Sequence, residues 1–127
     1  MRVLIIDDEA NIRKITAAAL EGMGHETADA ENGAAAMQQL RAAHFDAALL
    51  DLKLENESGM ELLPRLVATE PGLGVIVCTG HATRENAAAA RAAGAVDFIA
   101  KPFTPGQIRE ALDKVSGSAS APFHPGE

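Results

Sequence analysis

Val3-Leu4-Ile5-Ile6-Asp7-Asp8 runs from four apolar residues straight into two carboxylates. The run is too short for a helix of ordinary length and reads as a buried strand with an acidic pair at its carboxyl end. It is also too short for the apolar region of a signal peptide or for a membrane span, so neither export nor insertion is expected. Four further runs of the same kind follow: Glu26–Ala30, the weakest, then Ala47–Leu50, Val75–Cys78 and Val96–Ala100. The segments between them have helical spacing: Ile12, Ile15, Ala19, Leu20 and Met23; Ala36, Met37 and Leu40; Leu62, Leu63, Leu66 and Val67; an alanine-rich stretch around Ala87–Ala90; and Ile108, Ala111, Leu112 and Val115. These predict amphipathic helices.

Punctuation agrees with that placement. Ser58-Gly59-Met60-Glu61 and Thr104-Pro105-Gly106-Gln107 have the form of capping boxes, and Gly24 and Gly94 read as helix terminators. Strict alternation of helices with almost wholly apolar strands implies a parallel sheet covered on both faces, with a site at its carboxyl edge. The fold class is α/β, doubly wound.

The 127 residues suffice for one domain, assigned to residues 1–115, and leave no room for a second catalytic unit. Residues 116–127, Ser-, Gly- and Pro-rich, read as a flexible tail or the start of a linker, as in a fragment of a longer protein. A net charge of −7 disfavours direct contact with nucleic acid or an anionic membrane. The single cysteine, Cys78, sits in an apolar run and reads as a small buried residue in a reducing, cytoplasmic protein.

Strand ends bring Asp7, Asp8, Asp51 and Thr79 to one edge, and the fifth strand ends at Lys101-Pro102. Clustered carboxylates repel one another unless a cation is present, and an oxygen-rich set of this kind suits Mg²⁺. A carboxylate beside such a cation can attack phosphorus while an ammonium and a hydroxyl neutralise the transferring oxygens. Taken alone, Asp7 and Asp8 equally fit a role at the amino terminus of the first helix. Neither a P-loop nor a dinucleotide glycine fingerprint follows the first strand, which speaks against a nucleotide site.

Ile5-Ile6-Asp7-Asp8-Glu9, Leu49-Leu50-Asp51-Leu52, Ser58-Gly59-Met60-Glu61-Leu62-Leu63, Thr79-Gly80 and Gly94 through Phe103 together resemble the CheY-like response-regulator receiver family, over about residues 1 to 115. The resemblance implies a flavodoxin-like sheet of order 2-1-3-4-5 and phosphorylation of Asp51 by a sensor histidine kinase. It implies Mg²⁺ held by Asp8, Asp51 and the backbone carbonyl of Lys53, with Asp7 acting through a water. Lys101 would pair with the phosphoryl group, Thr79 would move to hydrogen-bond it, and a cis Lys101-Pro102 bond is implied too. Phe98 matches an aromatic switch position, although a plain core aromatic fits equally. The face of the last two helices and last strand would then control an output domain or separate effector in transcription regulation, with phosphorylation-dependent dimerisation a further implication.

The loop after Asp51 and the start of the last helix are similar to receivers of NtrC-like activators. Glu55 stands where many members of the family have proline, which predicts a more acidic and more mobile Glu55-Asn56-Glu57 loop. Lys53 and His81, two residues beyond Asp51 and Thr79, are candidates for setting the lifetime of the phosphoryl group. On this reading the chain is no enzyme toward outside substrates; it phosphorylates and dephosphorylates itself. Two alternatives stand beside it. A phosphohydrolase with an aspartyl-phosphate intermediate would need a substrate pocket or cap that the short connections do not supply. A receiver-like interaction domain that is never phosphorylated would have no need of the acidic set and Lys101.

Overall fold

The computed structural model describes the backbone of residues 1–120 and side chains as far as Val115. In chain order the elements are β1 (Arg2–Ile6), α1 (Ala10–Gly22), β2 (Glu26–Ala30), α2 (Gly33–Ala42), β3 (Ala47–Leu50), β4 (Lys53–Leu54), β5 (Glu57–Ser58), α3 (Gly59–Thr69), β6 (Gly74–Thr79), α4 (Arg84–Ala92), β7 (Asp97–Ala100) and α5 (Pro105–Ser120). Helix α5 thus runs beyond the expected domain end at 115. Residues 121–127, the rest of the expected tail, lie outside the described residues.

Five strands form one parallel sheet in the order β2-β1-β3-β6-β7, which is 2-1-3-4-5 when the five expected strands are counted. Alternate residues of each central strand point to opposite faces. Leu4, Ile6, Ala48, Leu50, Val75 and Val77 pack against Ala36 and Leu40 of α2, Leu62, Leu63 and Leu66 of α3, and Ala90 of α4. Val3, Ile5, Ala47, Leu49, Ile76 and Cys78 face Leu20 of α1 and Ile108, Ala111, Leu112 and Val115 of α5. The weak second run lies at the sheet edge, where exposed Glu26 and Asp29 pair with Arg2 and Arg13 at 2.8 Å each.

The cap chemistry is realised in detail at α5. Thr104 Oγ1 accepts the Gln107 N–H at 3.2 Å while Gln107 Oε1 accepts the Thr104 N–H at 2.7 Å, a reciprocal box. At α3 only half of the expected box forms, with Ser58 Oγ accepting from Met60 N–H at 3.2 Å. Gly24 and Gly94 take φ of +93° and +112° and close α1 and α4 with paired backbone bonds.

One helix face differs from expectation. Ile15 is 68% exposed, and Thr16 with Leu20 makes the buried stripe of α1. At about 3.6 residues per turn, Leu20 and Thr16 share a face while Ile15 falls on the neighbouring, exposed stripe of the helix. The turn after Asp51 carries a short hairpin that the sequence did not announce. Lys53–Leu54 pairs antiparallel with Glu57–Ser58, and Asn56 takes the left-handed conformation, φ +63°, that closes the hairpin.

Candidate metal centre

Strand pairing carries the acids to the carboxyl edge and holds them there. The Asp7 N–H donates to Ala30 O at 3.1 Å and the Asp51 N–H to Ile6 O at 3.0 Å. Lys101 N–H donates to Thr79 O at 2.9 Å. Each of these residues therefore sits one step past the end of its own strand while still bonded to the strand beside it. Gly59 completes the frame. Its N–H donates to Leu52 O at 2.8 Å, and a Cβ there would stand 2.2 Å from the Asp51 carbonyl oxygen.

Asp7, Asp8 and Asp51 each present a carboxylate oxygen within 4.8 Å of the other two. Asp7 and Asp51 are buried and Asp8 is exposed. Lys101 reaches both buried carboxylates, its Nζ 2.5 Å from Asp7 Oδ2 and 3.0 Å from Asp51 Oδ2. Burial alone would lower the pKa of this ammonium. Hydrogen bonds to Asp7 and Asp51 and the charges of both outweigh that, and the pKa rises above its ordinary value. Lys101 is a fixed cation at any physiological pH. The peptide bond to Pro102 is cis, as the resemblance implies.

The other carboxylate oxygens are engaged locally. Asp7 Oδ1 accepts the Glu9 N–H at 2.9 Å and Asp51 Oδ1 the Lys53 N–H at 3.1 Å. Asp7 therefore serves the start of α1 as well as the acidic cluster, so its two readings are compatible. Arg13, not singled out from sequence, bonds the Asp7 carbonyl through Nη1 at 2.7 Å and Asp29 through Nε at 2.8 Å. Its helical spacing gave no sign of this, because the partners are brought in by β1 and β2.

A cleft of about 370 Å³ opens over the cluster, lined by Asp8, Glu9, Asp51, Lys53, Gly80, His81 and Lys101. Lys53 and His81 line its rim. Thr79 is fully buried, and its Oγ1 accepts the His81 N–H at 3.1 Å instead of contacting Asp51 or Lys101. Phe98 is half-buried against the core on the α2, α3 and α4 side, between the two conditions a switch would need. Its neighbour Asp97 is a buried carboxylate that sequence reasoning missed. It pairs with Lys114 at 3.1 Å and Arg91 at 3.9 Å, tying α4, β7 and α5 together. Cys78 lies directly under the cluster, as buried as expected. Burial pushes its thiol pKa far up, Lys101 opposes this, and the charges of Asp51, Asp7 and Asp97 add to it.

The donor set fits a hard divalent cation. Three carboxylates against one ammonium leave uncompensated negative charge around an all-oxygen site, and Mg²⁺ takes one or two carboxylates with waters and phosphate oxygens. Among the described residues no other group of three such side chains comes together.

Comparison with known proteins agrees. The family model for the response regulator receiver domain matches residues 3–113. The chain is 34% identical to the chemotaxis protein CheY of Thermotoga maritima over 116 residues, 91% of this chain and 97% of that protein. It is 34% identical to the alginate biosynthesis transcriptional regulatory protein AlgB of Pseudomonas aeruginosa over 113 residues, 89% of this chain but 25% of that protein. The chain thus spans about a quarter of that longer relative. Among solved structures, a CheY-like receiver domain protein from Methanospirillum hungatei superposes with a TM-score of 0.83 at 34% identity, covering 92% of this chain and 97% of that one. A response regulator from Burkholderia pseudomallei, with a phosphorylated aspartic acid, calcium ion and citrate, gives 0.85 at 30%, covering 97% and 72%. On sheet order, on the acidic cleft with its lysine, and on a match through nearly the whole described length, this chain belongs to the response regulator receiver domain family of two-component systems.

Proposed function

We propose that Asp51 accepts a phosphoryl group from the phosphohistidine of a sensor histidine kinase in a Mg²⁺-dependent step, and that the resulting acyl phosphate switches an output. The observation that carries this reading is the Lys101 ammonium held between the buried carboxylates of Asp7 and Asp51, with Asp8 beside them at the cleft. Asp8, Asp51 and the backbone carbonyl of Lys53 would hold the cation, with Asp7 acting through a water. Bound there, Mg²⁺ would neutralise phosphate oxygens and the excess acidity of the cluster.

The Asp51 carboxylate oxygen attacks phosphorus, the P–N bond to the donor imidazole breaks, and the electron pair returns to that ring. Lys101, already 3.0 Å from Asp51 Oδ2, is placed to pair with the incoming phosphoryl oxygens. The Thr79 hydroxyl would leave the His81 N–H and donate to the same group, and Phe98 would sink into the space so vacated. Lys53 and His81, at the rim, are placed to set how readily water reaches the acyl phosphate. Unchanged dephosphorylation rates in Lys53→Ala and His81→Ala would dispose of that part.

The chain acts on its own aspartate rather than on outside substrates. No helix among the described residues is long and apolar enough to cross a membrane, and the net charge of −7 speaks against a nucleic-acid contact by this domain itself. We place it in the cytoplasm, controlling an output domain or effector of transcription, with dimerisation on phosphorylation as one route. Intact-mass spectrometry after incubation with Mg²⁺ and acetyl phosphate tests the reaction. Wild type should gain one phosphoryl group, while Asp51→Asn and a chelated control should gain none. No adduct on the wild type under any condition would refute the reading.

A further inference from the structure

Glu57 has no part in the roles above, yet its carboxylate makes one specific bond. Oε2 accepts the Gly33 N–H at 2.8 Å. Gly33 opens α2, where early N–H groups lack helical acceptors and a negative charge is favourable. Two residues on, the Ala35 N–H is taken by Asn32 Oδ1 at 2.8 Å. The partners are 24 residues apart, so the bond fastens the β4–β5 hairpin to a separate helix. Gly33 is fitted to it: a Cβ there would lie 2.5 Å from Glu57 Oε1 and 3.2 Å from Leu62 Cδ1.

From Glu57 a chain of contacts leads to the phosphoacceptor. Glu57 pairs with Leu54 and Ser58 with Lys53 in the antiparallel ladder. The Lys53 N–H in turn donates to Asp51 Oδ1 at 3.1 Å. Glu55 and Asn56 at the tip are exposed, and the turn has no proline to stiffen it.

We propose that Glu57 is a positioning residue for the cation and phosphoryl site: by anchoring the hairpin to α2 it fixes the main chain of Lys53 beside Asp51. The inference rests on the reading under Proposed function, in which the Lys53 carbonyl is a cation ligand. Supporting groups of this kind typically change metal affinity by about 10- to 100-fold when removed.

The test is Mg²⁺ titration of the 127-residue chain by calorimetry, with far-UV circular dichroism melts to verify folding. Glu57→Ala should weaken Mg²⁺ binding about tenfold, yet reach the wild-type phosphorylated fraction from acetyl phosphate once Mg²⁺ is saturating. Glu57→Gln keeps an acceptor for Gly33 and should stay near wild type. Gly33→Ala should weaken binding as Glu57→Ala does, because the new methyl displaces the carboxylate. In the Glu57→Ala background it should add little. A merely structural role would lower the melting temperature and leave the Mg²⁺ dependence unchanged. Equal Mg²⁺ affinity in wild type and Glu57→Ala, or additive losses in the double variant, would overturn the proposal alone. A wild type that binds no Mg²⁺ would overturn the cation reading with it.

Discussion

Replacing Gly59 by alanine tests whether the frame behind Asp51 is as tight as its geometry. The added Cβ would meet the Asp51 carbonyl oxygen at 2.2 Å, Leu52 Cα at 2.7 Å and the Asp51 carbonyl carbon at 3.0 Å. All three are main-chain atoms, so no side-chain rotation relieves the contact. Asp51 is held on its other side by its N–H bond to Ile6 O at 3.0 Å, so the start of α3 must retreat and stretch the 2.8 Å bond from Gly59 N–H to Leu52 O. Overpacking of this kind costs about 1–3 kcal/mol, and the weakened hydrogen bond about 1 more. Alanine returns less than about 1 kcal/mol in helix propensity, since the site is the first residue of α3. A net loss of about 2 kcal/mol is expected, a fall in melting temperature on the order of 8 °C for a chain of this length. With no Trp or Tyr in the sequence, urea unfolding is best followed by far-UV circular dichroism. Gly72→Ala is the control, with nothing within 4 Å of its Cβ, and should lie within about 0.5 kcal/mol of wild type. A Gly59→Ala protein within the same margin would refute the steric argument.

Two further outcomes follow from the charges beneath the cleft. Lys101→Met should cost about 2 kcal/mol at neutral pH by leaving the buried Asp7 and Asp51 without their donor. Because the folded-state pKa of Lys101 is raised, its stabilisation is complete below the unfolded value of 10.5 and fades as pH climbs through the higher folded value. As the pH is raised from neutral, the gap between wild type and variant should therefore hold until strong alkali, and a gap already closing near pH 8 would contradict the ion pairing. Cys78, buried and with its thiol pKa pushed up, should react with a disulfide reagent at least about a hundredfold more slowly in the native protein than in urea. Rapid native labelling would mean that the layer under the acids opens readily.

What the sequence disclosed and what it hid divide along physical lines. The central strands were legible because residues buried on both faces of a parallel sheet are apolar without interruption, as in Ala47–Leu50 and Gly74–Thr79. Asp7 and Asp51 were legible because each follows directly on such a strand, Asp8 comes one residue later, and Lys101 follows the edge strand β7, so a linear pattern fixes a place in space. The β4–β5 hairpin was not, since a pair of two-residue strands carries no periodicity to read. Ile15 was misplaced because helical spacing admits two neighbouring stripes, and the stripe chosen by the sheet passes through Thr16. The contacts of Glu57 with Gly33, of Arg13 with Asp29 and of Asp97 with Lys114 each join residues of two different elements, beyond the reach of any helix or strand repeat. No local signal announces them.

The bonds that hold Asp7 to Ala30, Asp51 to Ile6 and Lys101 to Thr79 belong to the sheet, although the residues they hold lie in loops. The loops can therefore fray without moving the main chain of these residues, because displacing it means separating neighbouring strands, a costlier opening than that of a loop. Asp8 and the rim residues Lys53 and His81 have exposed side chains at the cleft and are spared that constraint. Within a cleft of some 370 Å³, the protein thus combines parts anchored in its sheet with parts that can rearrange on the timescale of a surface loop.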